Sequence, residues 1–182
     1  MTTTATTPTT SPIVPSFDDT ETDRKLAIIC SKGNLDMAYP GLVLGNAALG
    51  EGIETHLFFT FWGFDMITKS RMHDLQVSPA GNTAMHLPGP GRDKHLPQAL
   101  APLPGMTGMA TRMMKKKIAD LGIPEVPDLL DQIVAAGGHL WACRMSADMN
   151  DLTATDLRDD VEGIISAADF IELTDGAQLL FI

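Results

Sequence analysis

The chain reads as a single α/β domain, a three-layer α/β/α sandwich on a parallel sheet, and three observations predict this. Four short apolar runs, at residues 25–30, 54–60, 139–143 and 178–182, are bounded by Gly, Asn or polar breaks and are too short for buried helices. Between them lie stretches whose apolar residues recur at helical spacing, and strands that alternate with helices pair in parallel through crossover connections. Finally, the chain has 182 residues, 44% of them hydrophobic, and only two Cys. A body of that size buries close to 70% of its unfolded surface and needs no disulfide staple.

Composition narrows the partners. The net charge is −10 with an isoelectric point near 4.7, which argues against nucleic acid or an anionic membrane and leaves proteins and small molecules. Two Cys 113 positions apart form no secreted disulfide framework, so a reducing compartment with free or functional thiols is expected. Residues 1–24 begin as a Thr- and Pro-rich stretch that cannot repay its ordering entropy and read as a disordered tail. This stretch has neither the basic and apolar regions of a secretory signal nor the Arg of a transit peptide.

The folded body, residues 25–182, opens on the run Lys25-Leu26-Ala27-Ile28-Ile29-Cys30, expected as a strand buried on both faces. Residues 35–50 follow at helical spacing, and their small residues Ala38, Gly41, Gly45, Ala47 and Ala48 would let a helix lie close on the sheet despite Pro40. Glu54 to Thr60 reads as the second strand, completing a β-α-β unit with a right-handed crossover. The loop after the first strand holds one glycine, Gly33, where a dinucleotide-binding loop needs three. The second strand runs into Phe61-Trp62-Gly63-Phe64, so that five of the seven residues Phe58 to Phe64 are aromatic. Such a concentration is either core or the wall of a pocket or interface.

Residues 72–108 have no sustained period and hold six prolines and five glycines, an insertion too long to be a plain connection. Its His73, His86 and His95 match no compact metal spacing, so no metal site is expected. The Met-rich run from Leu96 to Met114 is broken by Pro and Gly and carries Arg112, which excludes a spanning helix and suggests a pliable contact surface. Residues 109–121 regain helical spacing, with Arg112, Lys115, Lys116 and Lys117 forming either a solvated face or a positive rim beside a thiol. A helix at about 126–136 starts with Pro127-Asp128 and stops at Gly137-Gly138. Thr153 to Asp156 has capping-box spacing, residues 163–173 read as helical, and residues 178–182 close the chain as a strand.

Cys143 ends the apolar run His139-Leu140-Trp141-Ala142-Cys143, before the chain turns polar at Arg144-Met145-Ser146. It therefore stands at a strand's exit, where open α/β sheets collect ligands and catalytic groups. It is either a working thiol or a small buried hydrophobe, and a lone Cys is more often the latter.

Several segments together resemble the DsrE/DsrF-like family, often labelled peroxiredoxin family proteins. They are Phe58-Phe59-Thr60-Phe61-Trp62-Gly63, Leu103-Pro104-Gly105-Met106 through Met113-Met114-Lys115-Lys116, Ala142-Cys143-Arg144-Met145-Ser146, and the ending from Ala168 to Ile182. The resemblance covers residues 25–182 and implies a flavodoxin-like sheet of order 2-1-3-4 in a cytoplasmic homo-oligomer. It implies a sulfur carrier or sulfurtransferase that holds sulfane sulfur as a persulfide on Cys143 and passes it between rhodanese-like and TusA-like partners, with no cofactor. Arg144, Met145, Ser146, Thr60, Trp62 and Gly63 would shape that site. Some relatives carry spanning segments in the middle region, which the broken stretch at residues 72–108 argues against here. Cys30 departs from the family pattern and is a possible second thiol.

If the order is 2-1-3-4, the strands of Cys30 and Cys143 are neighbours and the two sulfurs either meet at one crevice or lie on opposite faces. A thiol peroxidase or redox sensor, with Cys143 reacting and Cys30 resolving, and a non-catalytic scaffold are the alternative functions.

Overall fold

The computed structural model describes residues 23–86, 89–91 and 93–182, so the expected tail lies, up to Thr22, outside the described residues. Among the described residues five strands form one all-parallel sheet: β1 (Lys25–Cys30), β2 (Glu54–Phe59), β3 (His139–Cys143), β4 (Val161–Ile165) and β5 (Gln178–Phe181). Five α-helices accompany them: α1 (Leu35–Gly50), α2 (Met106–Asp120), α3 (Val126–Ala135), α4 (Arg144–Met149) and α5 (Ala167–Leu173). The expected α/β sandwich is therefore present.

Two expectations need correction. The strand order is β4-β3-β2-β1-β5, not 2-1-3-4, so β2 lies between β1 and β3. The stretch expected as one helix from residue 163 is divided: Val161–Ile165 is a strand, and the helix begins only at Ala167. The reason is local. Val161, Ile164 and Ile165 suit an extended backbone, and Ser166 with Asp169 forms a complete capping box that starts α5.

The order explains how the layers are filled. From β1 to β4 the sheet grows in one direction, with α1 and α3 packed together on one face. The connection from β4 to β5 reverses direction and returns to the far edge, so a right-handed crossover must pass over the opposite face. Its only helix is the seven-residue α5, with Phe170 as its one buried side chain. The α1 face is thus thickly covered and the α5 face thinly, leaving Leu179 and Phe181 of the edge strand β5 53% and 68% exposed. On the thick side the fit is close. A Cβ at Gly41 of α1 would stand 3.3 Å from Cys30 Sγ, and one at Gly45 would stand 3.4 Å from Ile28 Cδ1.

Between a 3-10 turn at Phe61–Met66 and α2, the described residues form isolated bridges and one further 3-10 turn, Gly89–Gly91. No helix among the described residues is long and apolar enough to cross a membrane.

Candidate functional site

The registers place the two cysteines. Cys30 pairs with Phe59 and Phe59 with Ala142, so Cys30 is level with Ala142 and shares its face. Cys143 is one residue further on, and because side chains alternate along a strand it points to the other face. Cys30 belongs to the core beneath α1, whereas Cys143 lies with Ala27, Phe58 and Phe170 beneath α5. Two strand spacings, roughly 9.6 Å, also exceed the reach of about 7 Å that a disulfide allows. The neighbouring strands and shared crevice of the 2-1-3-4 order are therefore absent, and a resolving role for Cys30 has no geometric support. Burial pushes the Cys30 thiol up to about 12, which leaves it protonated and unreactive at neutral pH.

Cys143 closes β3 directly against α4, in extended conformation at φ −74° and ψ 122°. Its residue is only 4% exposed. The cover is α5: the Phe170 ring stacks on Phe58 with centroids 4.5 Å apart, and Ile29, Trp141 and Ile165 pack around the cluster. The sulfur thus sits at the carboxyl end of the sheet under a single small helix.

The neighbouring residues hold the ends of β2 and β3 together. Ser146 is wholly buried; its Oγ lies 3.2 Å from Thr60 Oγ1 and accepts the Phe61 N–H at 2.7 Å. This anchors Phe61, which adopts φ 45° in the left-handed region that costs a non-glycine residue roughly 1–2 kcal/mol. Phe61 is nevertheless 46% exposed, as are Trp62 at 61% and Met145 at 55%, so strained backbone here presents apolar side chains to solvent. Gly63 is required by close approach, since a Cβ there would lie 2.1 Å from the Cys30 carbonyl oxygen. Arg144 is exposed, and its Nη2 donates to the Ile164 carbonyl at 2.6 Å, tying α4 to β4. Of the aromatic run, Phe58, Phe59 and Phe64 are core, while Phe61 and Trp62 face outward.

The residues matched by family comparison, 22–181, span nearly the whole chain and fit the DsrE/DsrF/DrsH-like family. The chain belongs to this family. Among its relatives is the sulfur carrier protein DsrE2 of Allochromatium vinosum, 40% identical over 147 residues, covering 81% of this chain and 91% of that protein. The uncharacterized protein YrkE of Bacillus subtilis is 26% identical over 163 residues, covering 90% and 99% respectively. The crystal structure of the ychN protein from E. coli has a similar fold, with a TM-score of 0.52 at 13% identity over 87% of this chain and 99% of that one. The resemblance to the DsrE/DsrF-like family is thus borne out.

Sequence reasoning missed a polar network at the opposite end of the α5 face. His56 and His139, paired across β2 and β3, stack with ring centroids 4.6 Å apart. Glu54 lies 2.8 Å from His56 Nε2, Glu162 binds His139 Nδ1, and Trp141 Nε1 donates to His56 Nδ1 at 3.3 Å. An indole can only donate, so His56 Nδ1 must accept, which sets the tautomer with the proton on Nε2. That hydrogen bond holds the Glu54 carboxyl below its ordinary range, with Lys25 adding to the effect. The histidines stood in strands 83 positions apart, and only the pairing register joins them.

Proposed function

We propose that the chain carries sulfane sulfur as a persulfide on Cys143. The observation that carries the reading is a cysteine at the carboxyl end of β3, in a chain 40% identical to a protein named as a sulfur carrier. In the loading step the Cys143 thiolate attacks the terminal sulfur of a donor persulfide, R–S–SH. A new S–S bond forms, the old one breaks, and the donor leaves as R–S⁻. In the second step an acceptor thiolate takes the terminal sulfur and restores Cys143. The two transfers are without net oxidation and need no cofactor.

Access depends on α5. Cys143 is buried in one apolar cluster with Phe170, so loading requires α5 to swing or unfold locally, at a modest cost because one side chain anchors it. Rhodanese-like donors and TusA-like acceptors dock on the exposed apolar lip of Phe61, Trp62 and Met145. The thinly covered face at Leu179 and Phe181 joins a second copy of the chain in the cytoplasm, as contiguous exposed apolar residues on an edge strand suggest.

The test is intact-mass analysis after incubation with polysulfide. Wild type gains sulfur that reductant removes, Cys143→Ser gains none, and Cys30→Ala loads like wild type. Equal sulfur uptake by wild type and Cys143→Ser would defeat the proposal. Light scattering at micromolar concentration checks the assembly; a monomer there would remove the homo-oligomer.

A further inference from the structure

On the α1 side of the molecule, away from Cys143, α2 and the described residues Pro79, Asn82, Ala84, Met85, His86 and Leu96 line an open cleft of about 850 Å³. Its wall carries five methionines: Met85, and Met106, Met109, Met113 and Met114 from α2. The helical four recur at intervals that place them on one face, and Lys117 continues the same stripe one turn further. From Met106 to Lys117 the helix rises about 16 Å, the span of an unbranched alkyl chain of medium length.

This is not ordinary core. Leu96 is buried at 9% exposure, yet Met109 and Met113, which line the same cleft, are 49% and 39% exposed. The volume lies within the range of small-molecule sites, whose walls are mostly apolar with a few polar groups. Flexible thioethers suit a chain without fixed shape.

The polar groups are distributed unevenly. Lys115 donates to the His73 carbonyl and Lys116 pairs with Asp120, but Lys117 has no hydrogen bond or ion pair among the described residues. Asp36 is on the opposite wall in the first turn of α1, where the helix dipole matches its charge. Lys117, in the last turn of α2 where the dipole likewise matches its charge, is the charged side chain that stands at the end of the methionine stripe.

We propose that this cleft binds a small amphiphile, with an unbranched apolar chain along the methionine wall and a carboxylate head at Lys117. The proposal is independent of the sulfur-carrier reading, because the cleft and Cys143 lie on opposite faces of the sheet.

Calorimetric titration of the full chain with dodecanoate, kept below its micelle concentration, tests it. Saturable binding at one site per chain is expected. Met109→Gln with Met113→Gln, which keeps side-chain length and helix propensity, should weaken binding by tenfold or more, about 1.4 kcal/mol. The corresponding double change to Leu should bind like wild type, and circular dichroism confirms that each variant is folded. Lys117→Gln should weaken dodecanoate about tenfold while leaving dodecanol unchanged. Absence of saturable dodecanoate binding overturns the proposal, as does insensitivity to the Gln pair. Equal weakening of both ligands by Lys117→Gln overturns the head-group assignment. Flotation with phosphatidylglycerol-containing vesicles separates the remaining source: vesicle binding without monomer binding would make the cleft a lipid-surface contact and defeat the small-molecule site.

Discussion

Replacing Phe170 with Ala should uncover Cys143, and the size of the effect follows from what holds α5 down. Phe170 is 1% exposed and is the sole buried residue of that helix. Burying such a side chain is worth about 1.5–3 kcal/mol, and its stacking on Phe58 adds about 0.5–1.5 kcal/mol. The Ala variant keeps the Ser166–Asp169 capping box and a little of the apolar contact, so roughly 3 kcal/mol of closure is lost. Each 1.4 kcal/mol is a factor of ten in the open population, so alkylation limited by that population should accelerate about a hundredfold. The assay is the rate of maleimide labelling of Cys143 at neutral pH without denaturant, in a Cys30→Ala background. Phe170→Ala also lowers global stability, so Ile133→Ala of α3 serves as a control, since it opens a cavity costing about 2–5 kcal/mol far from α5. Labelling that accelerates only in the Phe170 variant supports a local cover. An unchanged rate in Phe170→Ala, or an equal acceleration in Ile133→Ala, would refute the reasoning.

Three further outcomes are expected. The Cys30 thiol, raised from 9.0 to about 12, stabilises the fold fully below pH 9 and loses that contribution as pH rises towards 12, by about 4 kcal/mol in all. Urea unfolding of wild type should therefore weaken faster than that of Cys30→Ala between pH 8 and 10, and parallel curves would contradict the assignment. The Glu54 carboxyl, lowered by His56, contributes stability present above its unfolded range and lost as pH falls through its folded value. Thermal unfolding should show a gap between wild type and Glu54→Gln at pH 7 that closes in acid, whereas a gap that persists in acid would place the effect elsewhere. Gly63→Ala drives a Cβ to 2.1 Å from the Cys30 carbonyl, and backbone cannot yield as a side-chain tip can. A loss of about 2 kcal/mol or more in urea unfolding is expected, and a neutral result would show that the β1 and β2 ends separate easily.

The alternation of short apolar runs with helical stretches was sufficient to determine the α/β class and most elements, because periodicity and breakers are local properties of the chain. Lys25–Cys30, Leu35–Gly50 and His139–Cys143 have the ends that their residues announce, and Cys143 stands at a strand's exit for the same reason. Strand order is a different kind of fact. Nothing in β1 or β3 states which neighbour each takes, and that choice depends on how the helices fill the two faces. The face of each cysteine followed from it: a single residue of register puts Cys30 under α1 and Cys143 under α5. The strand Val161–Ile165 was hidden because apolar residues flanking a short polar link can satisfy a helical period as well as an extended one. The stacked His56 and His139, and the burial of Cys143 by a helix 24 positions further along at Ala167, depend on contacts distant in sequence. Local composition determined which residue types stand at the strand ends; only tertiary packing decided which groups meet, because burial and register arise from the whole sheet at once.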